Sequence, residues 1–162
     1  MAIKLIVSDV DGTLSDHEGK YHQRTLEGIK KATDAGITVT LGTGRSFATA
    51  RPLQKELGMN GPIVCLNGAV IKDPFITYQS HVVDDEAISQ ATHFGEEIAA
   101  VVYMFAEDDI YILESDMERL AEVYRKLAIQ AELDYFHVMP SAEEMVAAAL
   151  GRTNKVVFVD VM

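Results

Sequence analysis

Ile3-Lys4-Leu5-Ile6-Val7-Ser8-Asp9-Val10-Asp11-Gly12-Thr13-Leu14 is the stretch that decides the fold. Its first half is β-branched or aliphatic at almost every position. That pattern predicts a strand buried on both faces of a parallel sheet. Two carboxylates follow, Asp9 and Asp11, and on an extended chain residues two apart send their side chains out by the same face. Gly12 then permits a sharp turn away from the sheet. Close carboxylates repel unless a cation sits between them, which points to a hard divalent ion, Mg²⁺ being the natural candidate. The carboxyl end of a strand is also where open α/β sheets bind ligands.

Working outward, residues Gln23 to Ala35 carry apolar side chains at helical spacing (Leu26, Ile29, Ala32), and Gly36 reads as the stop. Ile37 to Leu41 is a second strand, closed by Gly42-Thr43-Gly44-Arg45. Ser46 suits the cap of a helix reaching Leu57, in which Pro52 predicts a kink or a late start. Gly58 and Asn60-Gly61-Pro62 mark a turn, and Ile63 to Leu66 is a third strand ending in Asn67-Gly68. Strand and helix alternate, so the expected core is α/β and doubly wound, Rossmann-like, with right-handed crossovers.

The rhythm changes after Asn67. Ala69 to Ile71 and Phe75 to Val83 read as strands joined at Asp73-Pro74. Asp84 to Ala99 reads as a helix. Val101 to Phe105 and Ile110 to Leu113 read as a hairpin. Asp116 to Leu133 and Ser141 to Leu150 read as helices, and Lys155 to Val161 as a strand. This α+β style sets the expected division: residues 1–68 as the α/β core, 69–83 as connecting strands or hinge, and 84–162 as a partial cap.

The 162 residues include 14 Lys and Arg against 25 Asp and Glu, a formal charge of −11. Such a surface repels phosphate backbones and argues against nucleic acid as a partner. It also means that a site for an anionic substrate must supply its own positive field. The single cysteine, Cys65, sits in the apolar run Ile63-Val64-Cys65-Leu66 and reads as a small buried hydrophobe. With no signal-peptide pattern and no membrane-length apolar run, the expectation is a cytoplasmic protein with no membrane partner. The five histidines show no metal-ligand spacing.

Asp9-Val10-Asp11-Gly12-Thr13-Leu14 after a buried strand resembles the first motif of the haloacid dehalogenase superfamily. By that resemblance Asp9 is a nucleophile that forms an aspartyl-phosphate, and Asp11 is the acid/base. Mg²⁺ rests on the Asp9 carboxylate and the backbone carbonyl of Asp11. Thr43 resembles the second-motif hydroxyl that holds a phosphoryl oxygen. Its neighbours Gly42 and Gly44 would let backbone amides approach the anion, and Arg45 would add positive charge at the mouth. Asn67-Gly68-Ala69 is similar to the tripeptide that, in the Cof-type branch, sits near the substrate and opens the cap. The implied activity is hydrolysis of small phosphorylated metabolites such as sugar phosphates.

The resemblance also implies a lysine that neutralises the aspartyl-phosphate and a second acidic pair that completes the Mg²⁺ site. Neither is found. Lys155 resembles the start of a cap strand, and Asp160 lacks the required context. The chain therefore resembles the front part of a longer protein, with sheet edges left open to self-association. Two alternatives stand beside the hydrolase: a catalytically incomplete fragment or remnant, and a phosphotransferase or mutase using the same first motif. A calcium loop is a weaker rival, because its first ligand position would fall on Val7 and the flanking segment is a strand. A phospho-receiver domain is another weaker rival, because its acceptor position, the end of the third strand, is Asn67.

Overall fold

In the computed structural model, which describes residues 2–16, 18–126 and 135–160, the chain forms two units, residues 1–80 and 81–162. The first is built on β1 (Leu5–Ser8) and β2 (Thr38–Leu41), paired in parallel with Ser8 opposite Leu41. A parallel bridge from Gly42 to Val64 sets β3 (Ile63–Cys65) beside β2. The connections are α1 (Gln23–Asp34) and α2 (Phe47–Glu56), so strand and helix alternate as the sequence predicts. After β3 the chain doubles back through β4 (Val70–Lys72) and β5 (Thr77–Ser80), both antiparallel.

Local chemistry explains these boundaries. Gly36, at φ 77, ends α1, and its N–H and that of Ile37 bond back to the carbonyls of Thr33 and Ala32. Ser46 Oγ accepts the Thr49 N–H and caps α2. Pro52 lies inside α2, which begins at Phe47, so the late start expected from the proline does not occur. Pro52 withholds the N–H that would have met the Ala48 carbonyl. Thr49, Ala50 and Gln54 of the same helix are nonetheless buried.

Two further expectations are corrected. β1 is not buried on both faces: Leu5, Ile6 and Val7 are 54%, 38% and 47% exposed. Among the described residues β1 has one strand neighbour, β2, and a strand needs partners and cover on every side to read as fully buried. The third strand stops at Cys65, one residue early, because Leu66 turns into the left-handed region at φ 51. Cys65 itself is buried, as its apolar surroundings suggest.

The second unit is a mixed sheet ordered β8-β7-β6-β9, from β6 (Val101–Ala106), β7 (Asp109–Leu113), β8 (Phe136–Met139) and β9 (Lys155–Val159). All six residues of β6 are buried, because helices cover both of its faces. On one face Val102 and Met104 pack with Ile88 of α3 (Asp85–Glu97) and with Met145 and Ala149 of α5 (Ala142–Ala149). On the other, Tyr103 meets Tyr124 of α4 (Glu114–Lys126) and the Phe136 ring.

Strand β5 runs Thr77–Ser80 and not the expected Phe75 to Val83; its start is delayed because the Asp73 carboxylate takes the N–H groups of Phe75 and Ile76 into a turn. β8 is an element the pattern reading does not anticipate, since four residues give too short a period to recognise. The expected continuation of α4 to Leu133, and of the last strand to Val161, lies outside the described residues. No described helix is long and apolar enough to cross a membrane.

Candidate active site

The parallel register brings the carboxyl ends of β1, β2 and β3 to one edge. A cavity of about 320 Å³ opens there, lined by Asp9, Gly42, Thr43, Gly44, Val64, Asn67 and Gly68. Four of the six sequence-predicted residues, Asp9, Thr43, Gly44 and Asn67, thus share one concave surface. The other two, Asp11 and Arg45, are outside the lining and bind each other.

The chain leaves β1 through a tight coil. The carbonyl of buried Val10 accepts the N–H groups of Thr13, Leu14 and Ser15 at 3.2, 2.9 and 3.0 Å, and the Ser15 hydroxyl at 3.1 Å. Gly12, at φ 73, supplies the left-handed step that this closure needs. The coil turns Asp11 away from the end of the strand and toward Arg45. The guanidinium grips it with two bonds, Nε to Oδ2 at 2.9 Å and Nη2 to Oδ1 at 2.8 Å. The hydrogen bond from Arg45 holds the Asp11 carboxyl below its usual range, partial burial works the other way, and the Arg45 charge lowers it further. The pairing thus favours the carboxylate form of Asp11 and sets the guanidinium of Arg45 against it.

Tyr21 belongs to the same neighbourhood. Its phenol is raised above the ordinary value, first by burial and then by the negative charge of Glu56, with Arg45 easing it and Asp11 adding to it. Nothing in the sequence singles Tyr21 out. The Asp11–Arg45 pair had only a topological signal, that both residues follow the ends of neighbouring parallel strands.

The loop after β2 is braced from within. The Gly42 N–H donates to Ser8, the Thr43 N–H to Val64 at 2.9 Å, and the Arg45 N–H to Thr43 Oγ1 at 3.2 Å. The amides of Gly42, Thr43 and Arg45 thus serve the fold itself. Thr43 is 5% exposed, and its hydroxyl oxygen, accepting from Arg45, has its own proton to donate. From the other side, the N–H groups of Leu66 and Asn67 donate to the carbonyls of Arg45 and Thr43 at 3.0 and 3.1 Å. Leu66, Asn67 and Gly68 are left-handed in succession, at φ 51, 59 and 95. For leucine that conformation costs about 1–2 kcal/mol, a strain of the kind that functional sites hold in place.

Asp9 and the backbone carbonyl of Asp11 are hard oxygen donors two residues apart. Among the described residues no group of three or more His, Cys, Asp or Glu could hold a metal ion. A donor set this small suits Mg²⁺, which keeps most of its waters, and does not suit a structural zinc.

The profile of the haloacid dehalogenase-like hydrolase family matches residues 6–154. The chain is 31% identical over 132 residues to the 5-amino-6-(5-phospho-D-ribitylamino)uracil phosphatase YwtE of Bacillus subtilis, covering 82% of this chain and 43% of that protein. It is 31% identical over 138 residues to a phosphoglycolate phosphatase of Methanobrevibacter smithii, covering 83% of this chain and 56% of the relative. Among solved structures, a haloacid dehalogenase-like hydrolase from Bacteroides thetaiotaomicron superposes with a TM-score of 0.77 at 19% identity, over 98% of this chain and 59% of its own. The chain thus spans about half the length of each of these three proteins. It belongs to the haloacid dehalogenase-like hydrolases, in their Cof-type branch.

Proposed function

We propose that this chain carries the nucleophile and acid/base half of a Mg²⁺-dependent hydrolase of small phosphate monoesters, a cytoplasmic enzyme. The observation that carries the reading is the cavity itself: Asp9, Thr43 and Asn67 converge on it at the carboxyl ends of three parallel strands. The names of the relatives support the substrate class. Both similar proteins above are phosphatases of small phosphorylated molecules.

Asp9 attacks phosphorus with a carboxylate oxygen, forming the acyl-phosphate bond as the ester P–O bond breaks. Asp11, when protonated, gives its proton to the departing alkoxide. As the carboxylate it then takes a proton from the water that attacks the aspartyl-phosphate, freeing inorganic phosphate and Asp9. The Thr43 hydroxyl holds a phosphoryl oxygen. The Asp9 carboxylate and the Asp11 carbonyl would hold Mg²⁺, which supplies charge neutralisation where an anion meets a carboxylate. The family resemblance adds a lysine and an acidic pair that this chain's motifs do not include, so the activity proposed is that of the whole protein.

The test is turnover of p-nitrophenyl phosphate with and without Mg²⁺, in the wild type and in Asp9→Asn. Mg²⁺-dependent release of nitrophenol that the substitution removes supports the reading. In the whole protein, Mg²⁺-dependent turnover that persists undiminished in Asp9→Asn overturns it.

A further inference from the structure

Gly44 is not in the left-handed region, so its backbone does not require glycine. What requires it is a neighbour: a methyl group on Gly44 would stand 2.8 Å from Asn67 Oδ1, with Cγ at 3.7 Å and Nδ2 at 3.9 Å. The Asn67 carboxamide therefore lies directly on Gly44. The backbone N–H of Asn67 donates to the Thr43 carbonyl, and that of Leu66 donates to the Arg45 carbonyl. One residue thus touches the loop 42–45 with both backbone and side chain. It is held there in a left-handed conformation that asparagine tolerates better than other side chains do.

We infer that Asn67 is a positioning residue. It clamps the Thr43–Gly44 peptide and so fixes where the Thr43 hydroxyl stands in the cavity. Gly44 is glycine to admit that clamp. The inference rests on the phosphate reading of the site only for its consequence, since the clamp itself is a contact between two residues. It also gives the left-handed run a purpose. Were Leu66 and Asn67 extended, as β3 is, the Asn67 side chain would leave the loop, and the bond from its N–H to Thr43 would be lost.

The experiment uses the ¹⁵N-labelled chain with Mg²⁺, titrated with inorganic phosphate, for the wild type, Asn67→Gly, Gly44→Ala and the double variant. Asn67→Gly keeps the left-handed backbone and removes the carboxamide. Gly44→Ala keeps the carboxamide and pushes it aside. Without phosphate, the amide signals of Gly42, Thr43 and Arg45 should move in each single variant and move no further in the double. Signals from residues 85–126 should stay in place and show that the fold is intact. Phosphate binding should weaken about tenfold in each single variant, as expected for loss of one well-placed polar contact, with no multiplication in the double. Loop signals and affinity unchanged in Asn67→Gly would overturn the inference, as would single effects that multiply in the double. If the loop signals move as expected but the wild type binds no phosphate, the clamp stands and the phosphate reading of the site fails.

Discussion

Arg45 and Asp11 form a two-pronged ion pair, Nε to Oδ2 at 2.9 Å and Nη2 to Oδ1 at 2.8 Å, across a sequence separation of 34 residues. The Asp11 side chain is 59% exposed and that of Arg45 25%, so solvent screens much of the attraction. Arg45→Ala should therefore cost less than about 1 kcal/mol of stability, read from urea unfolding. Its larger effect should fall on Asp11: with the guanidinium gone, the carboxyl should titrate higher, as followed by carbon NMR. Lysine cannot reproduce the planar fork, so Arg45→Lys should restore only part of the shift.

Asp11→Asn removes a proton donor and acceptor while keeping the side-chain shape. If Asp11 is the acid/base, turnover of an alkyl phosphate should fall roughly 10²–10⁴-fold. A nitrophenyl ester, whose leaving group needs little protonation, should suffer less in the first step. Equal losses with both substrates would place the role of Asp11 in the water step alone.

The turn at Asp73 should be sensitive to acid. The Phe75 N–H, the Tyr78 hydroxyl and the Ile76 N–H hold its carboxyl below the usual range. A depressed folded value means that the stabilisation is present above the ordinary carboxylate value and is lost as pH falls through the folded one. The amide signals of Phe75 and Ile76 should report that loss together, with a midpoint below that of an unstructured aspartate. A midpoint at the unstructured value would contradict the turn.

Gly95 sits inside α3, where alanine is ordinarily the better helix former by up to about 1 kcal/mol. Here a methyl would stand 2.1 Å from Val102 Cγ2 on β6. Overpacking of that kind typically costs about 1–3 kcal/mol, so the steric effect should win and Gly95→Ala should lower the melting temperature. A rise would show that α3 and β6 can move apart cheaply.

The first three strands and two helices were legible because each signal was local: aliphatic runs, a cap at Ser46, a stop at Gly36. The site was legible for a related reason, since Asp9, Thr43 and Asn67 each follow a strand and parallel pairing brings strand ends together. Three features were not legible. The exposure of β1 depends on what else pairs with it. The left-handed turn at Leu66 defies the preference of leucine and is held by the loop opposite. The grip of Arg45 on Asp11 is a contact between distant residues with no periodicity to betray it.

The central claim is that Asp9 is the residue phosphorylated during turnover. The most direct measurement is to react the protein with a phosphomonoester and Mg²⁺, quench in acid and map the modified residue by peptide mass spectrometry. The account predicts one phosphoryl group on the peptide containing Asp9, absent from Asp9→Asn. A phosphoryl group on another residue, or one that persists in Asp9→Asn, would contradict it.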